Sequence, residues 1–304
     1  MAETIVNRRR ALTLMAAASA LPLLAHSVAH IDAASANAST WSGTALGANA
    51  RIVFAGTPAH LADRHVLEAL AEVERLEQIF SLYRADSELS LLNRDGRLAR
   101  PSPELLQVLH VCRAVHLLSD GLFDPAIETL WHKKTASCDP IPLVTRFASV
   151  KFDRHEVILP DGAALTLNGI AQGYITDRIT ELLNRAGYRS VLVDMGETRT
   201  TGFPAATDQW RIAIRDAPDI IAMNDGAIAT SSSSSLDLCP GMELSHIVDP
   251  HTGATPRYWR SLTVRHPSAT WADALSTALI LAPAAQIARV RAAMPGLNVS
   301  ARPV

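Results

Sequence analysis

Residues 165–187 restrict what this chain can fold into more than any other stretch. Leu165-Thr166-Leu167 alternates as a strand does. Asn168-Gly169-Ile170-Ala171-Gln172-Gly173 then supplies the residues of a turn, and residues 174–186 carry helical spacing closed by Gly187. The pattern predicts a strand at 165–167 and a helix over 174–186. A strand that turns through glycines into a helix start offers free backbone N–H groups and the positive end of the helix dipole to an anion such as a phosphate. The same glycines also read as turn residues alone, and their spacing is neither Gly-x-Gly-x-x-Gly nor a P-loop.

Helices precede this turn and strands follow it. Leu61, Val66, Leu70, Val73, Leu76 and Phe80 recur at helical spacing and predict one buried face over residues 58–80. Ser102-Pro103-Glu104 opens a second helix with a capping serine and a first-turn proline, lined by Leu105, Leu109, Cys112 and Val115. Short strands are expected at 51–54, 190–195, 210–215 and 227–229, with no internal repeat. The polar run 230–235 reads by composition as a surface loop, and residues 34–42 as a tail.

The first 36 residues look like an export signal. Asn7-Arg8-Arg9-Arg10 precedes about 15 uncharged residues and then small residues, the pattern of a cleaved secretory signal. The adjacent arginines match the twin-arginine route, so the mature domain is expected over 37–304 and the protein in the periplasm. The apolar run contains Pro22 and is shorter than the ~20 residues of a spanning helix. With 28 Lys+Arg against 30 Asp+Glu, the chain has no basic surface to recommend a nucleic-acid partner. Cys112, Cys138 and Cys239 are too few for a zinc or disulfide framework and are expected to be unpaired, a Cys138–Cys239 pair in an oxidising compartment being the alternative.

Three polar constellations follow strand ends or open a helix. The first is Asp194-Met195-Gly196-Glu197. The second is His246-Ile247-Val248-Asp249-Pro250-His251-Thr252-Gly253, where His246 is available as an acid or base or as a hydrogen-bonded structural histidine. The third places Asp273 and Thr277 four residues apart on one helix face. One carboxylate and one hydroxyl with room for water and phosphate suit Mg²⁺. Asp273 favouring its own helix N-terminus, with Thr277 bonding back to it, is the alternative.

Taken in order, Tyr83-Arg84-Ala85-Asp86-Ser87-Glu88-Leu89-Ser90-Leu91-Leu92-Asn93, Gly121-Leu122-Phe123-Asp124-Pro125, the Gly-Ile-Ala-Gln-Gly turn, Val193-Asp194-Met195-Gly196, Ala229-Thr230-Ser231, the His246 segment and Ala272-Asp273-Ala274-Leu275-Ser276-Thr277-Ala278 resemble the FAD:protein FMN transferases of the bacterial thiamine-biosynthesis-lipoprotein type. The resemblance implies an α+β, α/β-like fold of two lobes, with mixed sheets flanked by helices and FAD in the cleft between them. It implies Mg²⁺ held by the Gly169 carbonyl, Asp273 and Thr277, and flavin contacts at Tyr83, Leu122, Phe123, Asp124, Thr166, Gln172 and Ile247. His246 takes the place of the general base. The reaction so implied moves FMN from FAD onto a Ser or Thr of an exported or membrane flavoprotein and releases AMP. An exported FAD pyrophosphatase and a non-catalytic FAD-binding accessory protein are the alternatives.

Three positions depart from the family pattern. Thr166 stands where an Asp is usual, and Gln172 where a Lys or Glu is usual. Gly196-Glu197-Thr198 replaces Gly-Gly-Asp or Gly-Gly-Asn. With the twin-arginine signal and the serine run, this variation is similar to the subgroup that serves nitrous oxide reductase maturation by flavinylating a membrane-bound electron-transfer partner.

Overall fold

The computed structural model describes residues 38–45, 48–129, 147–205, 208–214, 220–233, 235–239 and 242–304. The segment expected to be an export signal, Cys138 and the Cys239 side chain lie outside them; Cys112 is buried and free. The chain begins with strands β1 (Ser39–Ala45) and β2 (Ala48–Phe54), helices α1 (Ala59–Phe80) and α2 (Glu88–Asp95), strand β3 (Arg97–Ala99) and helix α3 (Pro103–Leu118). Ser102 caps α3 by accepting the Leu105 N–H, as its sequence predicts. Strands β4 (Lys151–Phe152) and β5 (Glu156–Ile158) complete a small sheet in the order β3-β5-β4.

The second half supplies helix α4 (Ala171–Arg185) and strands β6 (Val191–Asp194), β7 (Thr198–Thr201), β8 (Trp210–Ala213), β9 (Ile220–Met223), β10 (Gly226–Ser232), β11 (Ser235–Cys239), β12 (Met242–Ser245) and β13 (Trp259–His266). Helices α5 (Ala269–Leu279) and α6 (Ala284–Ala293) and strand β14 (Asn298–Pro303) close the chain. The main sheet runs β1-β2-β6-β7-β10-β13-β14, all neighbours antiparallel. This is the expected α+β arrangement of sheets and flanking helices, with every described strand pair antiparallel where mixed sheets were expected. Among the described residues no helix is long and apolar enough to cross a membrane.

The strands alternate, and the register decides which residues share a face. Ile52 pairs with Val193 and Phe54 with Val191, placing four large side chains on the face that meets the helices in one continuous core. Val53 pairs with Leu192 on the opposite face, under Trp210 of the β8–β9 hairpin. Ile212 and Met223 of that hairpin cover Ile228 of β10. The main sheet is therefore buried on both sides over its central strands. Each such side chain contributes roughly 1.5–3 kcal/mol from burial.

The structure also corrects three readings of single segments. Residues 165–167 form no strand. The Asn93 side chain holds Leu165, its Oδ1 accepting the Leu165 N–H at 2.7 Å and its Nδ2 donating to the Leu165 carbonyl at 2.7 Å, and the Thr166 N–H donates to the Pro125 carbonyl at 2.8 Å. The polar run does not start as a surface loop: Thr230 and Ser231 are buried in β10, where Thr230 bonds Thr263 at 2.9 Å and Ser231 bonds Ser276 at 2.8 Å. A buried hydroxyl with a partner sits in a strand without penalty, which composition does not convey. Finally, residues 39–42 are part of the edge strand β1 and not a tail.

Candidate active site

Helices α4 and α5 cross near their N-termini, and Gly173 makes the crossing possible. A methyl on Gly173 would run into the backbone carbonyl oxygen of Ala269 and lie 2.8 Å from Asp273 Cβ. Each helix then caps the other. Asp177 of α4 accepts from the Ala269 N–H at 2.8 Å, the Thr270 N–H at 3.0 Å, the Thr270 hydroxyl at 2.7 Å and the Ser268 hydroxyl at 2.6 Å, all at the start of α5. Asp273 of α5 accepts the Gly173 N–H at 3.0 Å at the start of α4, whose own Ile170 has no side chain for that bond. Replacing Gly173 by Ala is expected to force the helices apart. We expect about 1–3 kcal/mol lost, read as a lower denaturant midpoint with an unchanged slope.

The two capping carboxylates differ in one respect. Asp177 is paired with Arg199 at 2.6 Å. Asp273 is 4% exposed, and among the described residues no cationic side chain faces it; burial lifts its pKa to about 7. The hydrogen-bonding caps at the start of α5 come from Ser268 and Asp177, and the Asp273 carboxylate is turned to the Gly173 N–H of α4.

The turn before α4 brings the other expected ligands beside Asp273. Gly169 lies against Thr277: a Cβ on it would sit 2.9 Å from Thr277 Oγ1. Thr166 shapes this turn by accepting the Asn168 N–H on Oγ1 at 3.2 Å, a bond an Asp could also make, so the departure at 166 leaves the turn intact. Gly169 and Thr277 thus lie together, with Asp273 one turn before Thr277 on α5. Among the described residues no three His, Cys, Asp or Glu side chains form a metal cage. The available set is a carbonyl, a hydroxyl and a buried carboxylate, the hard oxygen donors that suit Mg²⁺ with water and phosphate completing its shell.

The turn between β6 and β7 forms the wall beside this set. Gly196 has a positive φ of 106° and packs on the Gln172 carboxamide, where a Cβ would lie 2.6 Å from the Gln172 side-chain carbon. Gln172 is 7% exposed and is committed to this contact. Asp194 accepts the Gly196 N–H at 3.2 Å, and burial raises its pKa to about 7. Its folded value lies above the unfolded one, so the folded state holds a proton that the unfolded chain has lost between about pH 4 and pH 7. Stability conferred by that proton is complete below pH 4 and is lost as pH rises to 7. The melting temperature of chelator-treated protein is therefore expected to fall across this range, less steeply in Asp194→Asn.

The expected flavin contacts are distributed along the same region. Leu122 and Phe123 are buried in the core; the Phe123 carbonyl is within 2.8 Å of His116 Nδ1. Asp124 caps the short turn Pro125–Ile127 through the Ala126 N–H at 2.8 Å. His251 ties the His246 segment to the Leu122 loop through Nε2 and the Asp120 carbonyl, 2.9 Å apart. His246 and Ile247 are half-buried in that segment, and Tyr83 is exposed between α1 and α2. Asp177 and Glu197 are absent from the sequence-derived site although both are buried at its edge. For Asp177 no local signal exists, because its partners lie 91–93 residues away.

The sequence model of the ApbE family matches residues 46–300. The FAD:protein FMN transferase of Chlamydia pneumoniae is 28% identical over 228 residues, covering 68% of this chain and 72% of that protein. The protein of the same name from Salmonella typhimurium is 26% identical over 282 residues, covering 82% and 79%. Among solved structures, the Thermotoga maritima ApbE protein superposes with a TM-score of 0.76 at 25% identity, covering 87% of this chain and 94% of that one. The flavin transferase ApbE from Vibrio cholerae superposes at 0.73 and 24% identity, covering 87% and 97%. A match that runs from the first strands of the main sheet into its last places this chain in the ApbE family.

Proposed function

We propose that this protein is a Mg²⁺-dependent FAD:protein FMN transferase that joins FMN through a phosphoester to a Ser or Thr of an exported or membrane flavoprotein. The observation that carries the reading is the convergence of Gly169, Thr277 and the buried, uncompensated Asp273 at a helix crossing, in a chain whose relatives bear that activity in their names. Magnesium, when bound there, neutralises phosphate oxygens. The Gly169 turn and the first turn of α4 orient the FAD pyrophosphate, and the Leu122 loop and the His246 segment flank the flavin. His246 accepts the proton of the acceptor hydroxyl as its oxygen bonds to the FMN phosphorus. The bond from that phosphorus to the bridging oxygen breaks, and AMP leaves with the electron pair.

Export by the twin-arginine route, a periplasmic location and service to a membrane-bound electron-transfer partner in nitrous oxide reductase maturation belong to the same proposal. They are supported by the pattern of residues 7–36 and by Gly196-Glu197-Thr198. The test mixes the purified chain with FAD, Mg²⁺ and a periplasmic flavoprotein fragment bearing an exposed Thr, and reads in-gel fluorescence and mass. A gain equal to FMN on the acceptor, abolished by chelator, is expected. Mg²⁺-dependent AMP release without acceptor labelling would instead make the protein an FAD pyrophosphatase, and FAD binding with neither product a flavin-binding accessory protein.

A further inference from the structure

Glu197 is the one departure from the family pattern that introduces a charge into the interior. It is 3% exposed, and its Oε2 has no hydrogen-bond partner. A buried carboxylate oxygen left unpartnered is costly unless something positive meets it.

Two independent chains of contacts place Glu197 against Asp273. On one side, its neighbour Gly196 packs on Gln172, its own carbonyl accepts the Thr176 hydroxyl at 3.0 Å, and the Gly173 amide between those two α4 residues donates to Asp273. On the other, the Glu197 carboxylate takes a backbone hydrogen bond from Thr230. The next residue, Ser231, bonds Ser276, whose hydroxyl also donates to the Asp273 carbonyl at 3.0 Å. Asp273 is the charge that acts on Glu197 most strongly, Asp194 the next, and among the described residues no cationic side chain offsets them. Two carboxylates held out of water on linked segments thus act on each other, with no cationic side chain among the described residues to offset them.

We propose that Glu197 is a second carboxylate of the cation site, so that this chain binds a divalent ion in the absence of nucleotide. A single carboxylate leaves a bound dication with a net positive charge that substrate phosphate must balance; two carboxylates neutralise it within the protein. The inference rests on the metal assignment under Proposed function and extends it to a residue outside the expected ligand set.

The test uses the full chain, stripped with EDTA and dialysed, titrated with Mn²⁺ in the absence of FAD while free Mn²⁺ is followed by electron paramagnetic resonance. Wild-type protein is expected to bind Mn²⁺ saturably. Glu197→Gln is expected to weaken that binding by about 10- to 100-fold, the usual effect of losing a close partner in a metal site. Glu197→Ala, which leaves a void in place of a stranded amide, is expected to do the same and serves if the Gln variant does not fold. Folded Glu197 variants with wild-type affinity, while Asp273→Asn loses it, would overturn the role of Glu197 alone. Unchanged affinity in Asp273→Asn would overturn the metal assignment itself. Wild-type protein that takes up no Mn²⁺ without FAD would also overturn the proposal.

Discussion

Asp177→Ala is expected to destabilise this protein by about 3–5 kcal/mol, the range for breaking one side of a buried ion pair. Asp177 holds four donors at the start of α5 and the Arg199 guanidinium, with side-chain exposures of 9% for Asp177 and 21% for Arg199. Alanine leaves two helix-terminal amides and two hydroxyls without their acceptor and strands a mostly buried cation. Against a total stability of about 5–15 kcal/mol, that loss is a large share. The melting temperature should fall on the order of 10 °C. The reason is local: α5 enters the core between the main sheet and α4, and its first turn has no other strong anion. Arg199→Met in the same chain should restore part of the loss, because the stranded guanidinium goes with it. An Asp177→Ala protein that melts with the wild type would show that the reciprocal capping does not set the crossing of α4 and α5.

The elements that depend on local chemistry were legible in the sequence. The stripe from Leu61 to Phe80 is helix α1 within one residue of its expected start, and the Ser102-Pro103 signal opens α3 where a cap and a first-turn proline must. Elements held by distant partners were less legible. Residues 165–167 looked like a strand because Leu165 and Leu167 alternate with Thr166, yet Leu165 bonds the side chain of an asparagine 72 residues earlier and the Thr166 N–H bonds the Pro125 carbonyl. The serine run looked like a loop because hydroxyl partners on β13 and α5 are not written beside it. That Asp273 and Thr277 share a helix face follows from their spacing, whereas Gly169 as their companion came from the family resemblance alone. What the sequence could not express is that Asp273 caps a helix 100 residues away and that it is the charge acting most strongly on the buried Glu197. Both facts arise from the crossing at Gly173, which tertiary packing creates.

Asp273→Asn is expected to abolish transfer while leaving the fold in place, and the contrast with Asp177 explains why. The Asn side-chain oxygen can still accept the Gly173 N–H, so the start of α4 keeps its cap. The charge it removes has no cationic side chain beside it, so the substitution relieves a buried, unbalanced carboxylate instead of stranding a partner. Cation-free Asp273→Asn should therefore melt at or above the wild-type temperature. The catalytic effect should be opposite in sign and much larger. A bound dication supplies several kcal/mol of charge stabilisation to phosphoryl transfer, and each 1.4 kcal/mol is about tenfold in rate. The initial rate of acceptor flavinylation should fall on the order of 10³-fold. The same variant should lose the rise in melting temperature that saturating Mg²⁺ gives the wild type, which amounts to about 2.7 kcal/mol at a hundredfold excess over the dissociation constant. Loss of both responses together, in a protein that is no less stable without metal, separates a ligand from a structural carboxylate. An Asp273→Asn protein that still labels its acceptor at the wild-type rate in Mg²⁺ would remove Asp273 from the cation site and send the search to Asp194 and Glu197, the two other buried carboxylates whose pKa burial raises.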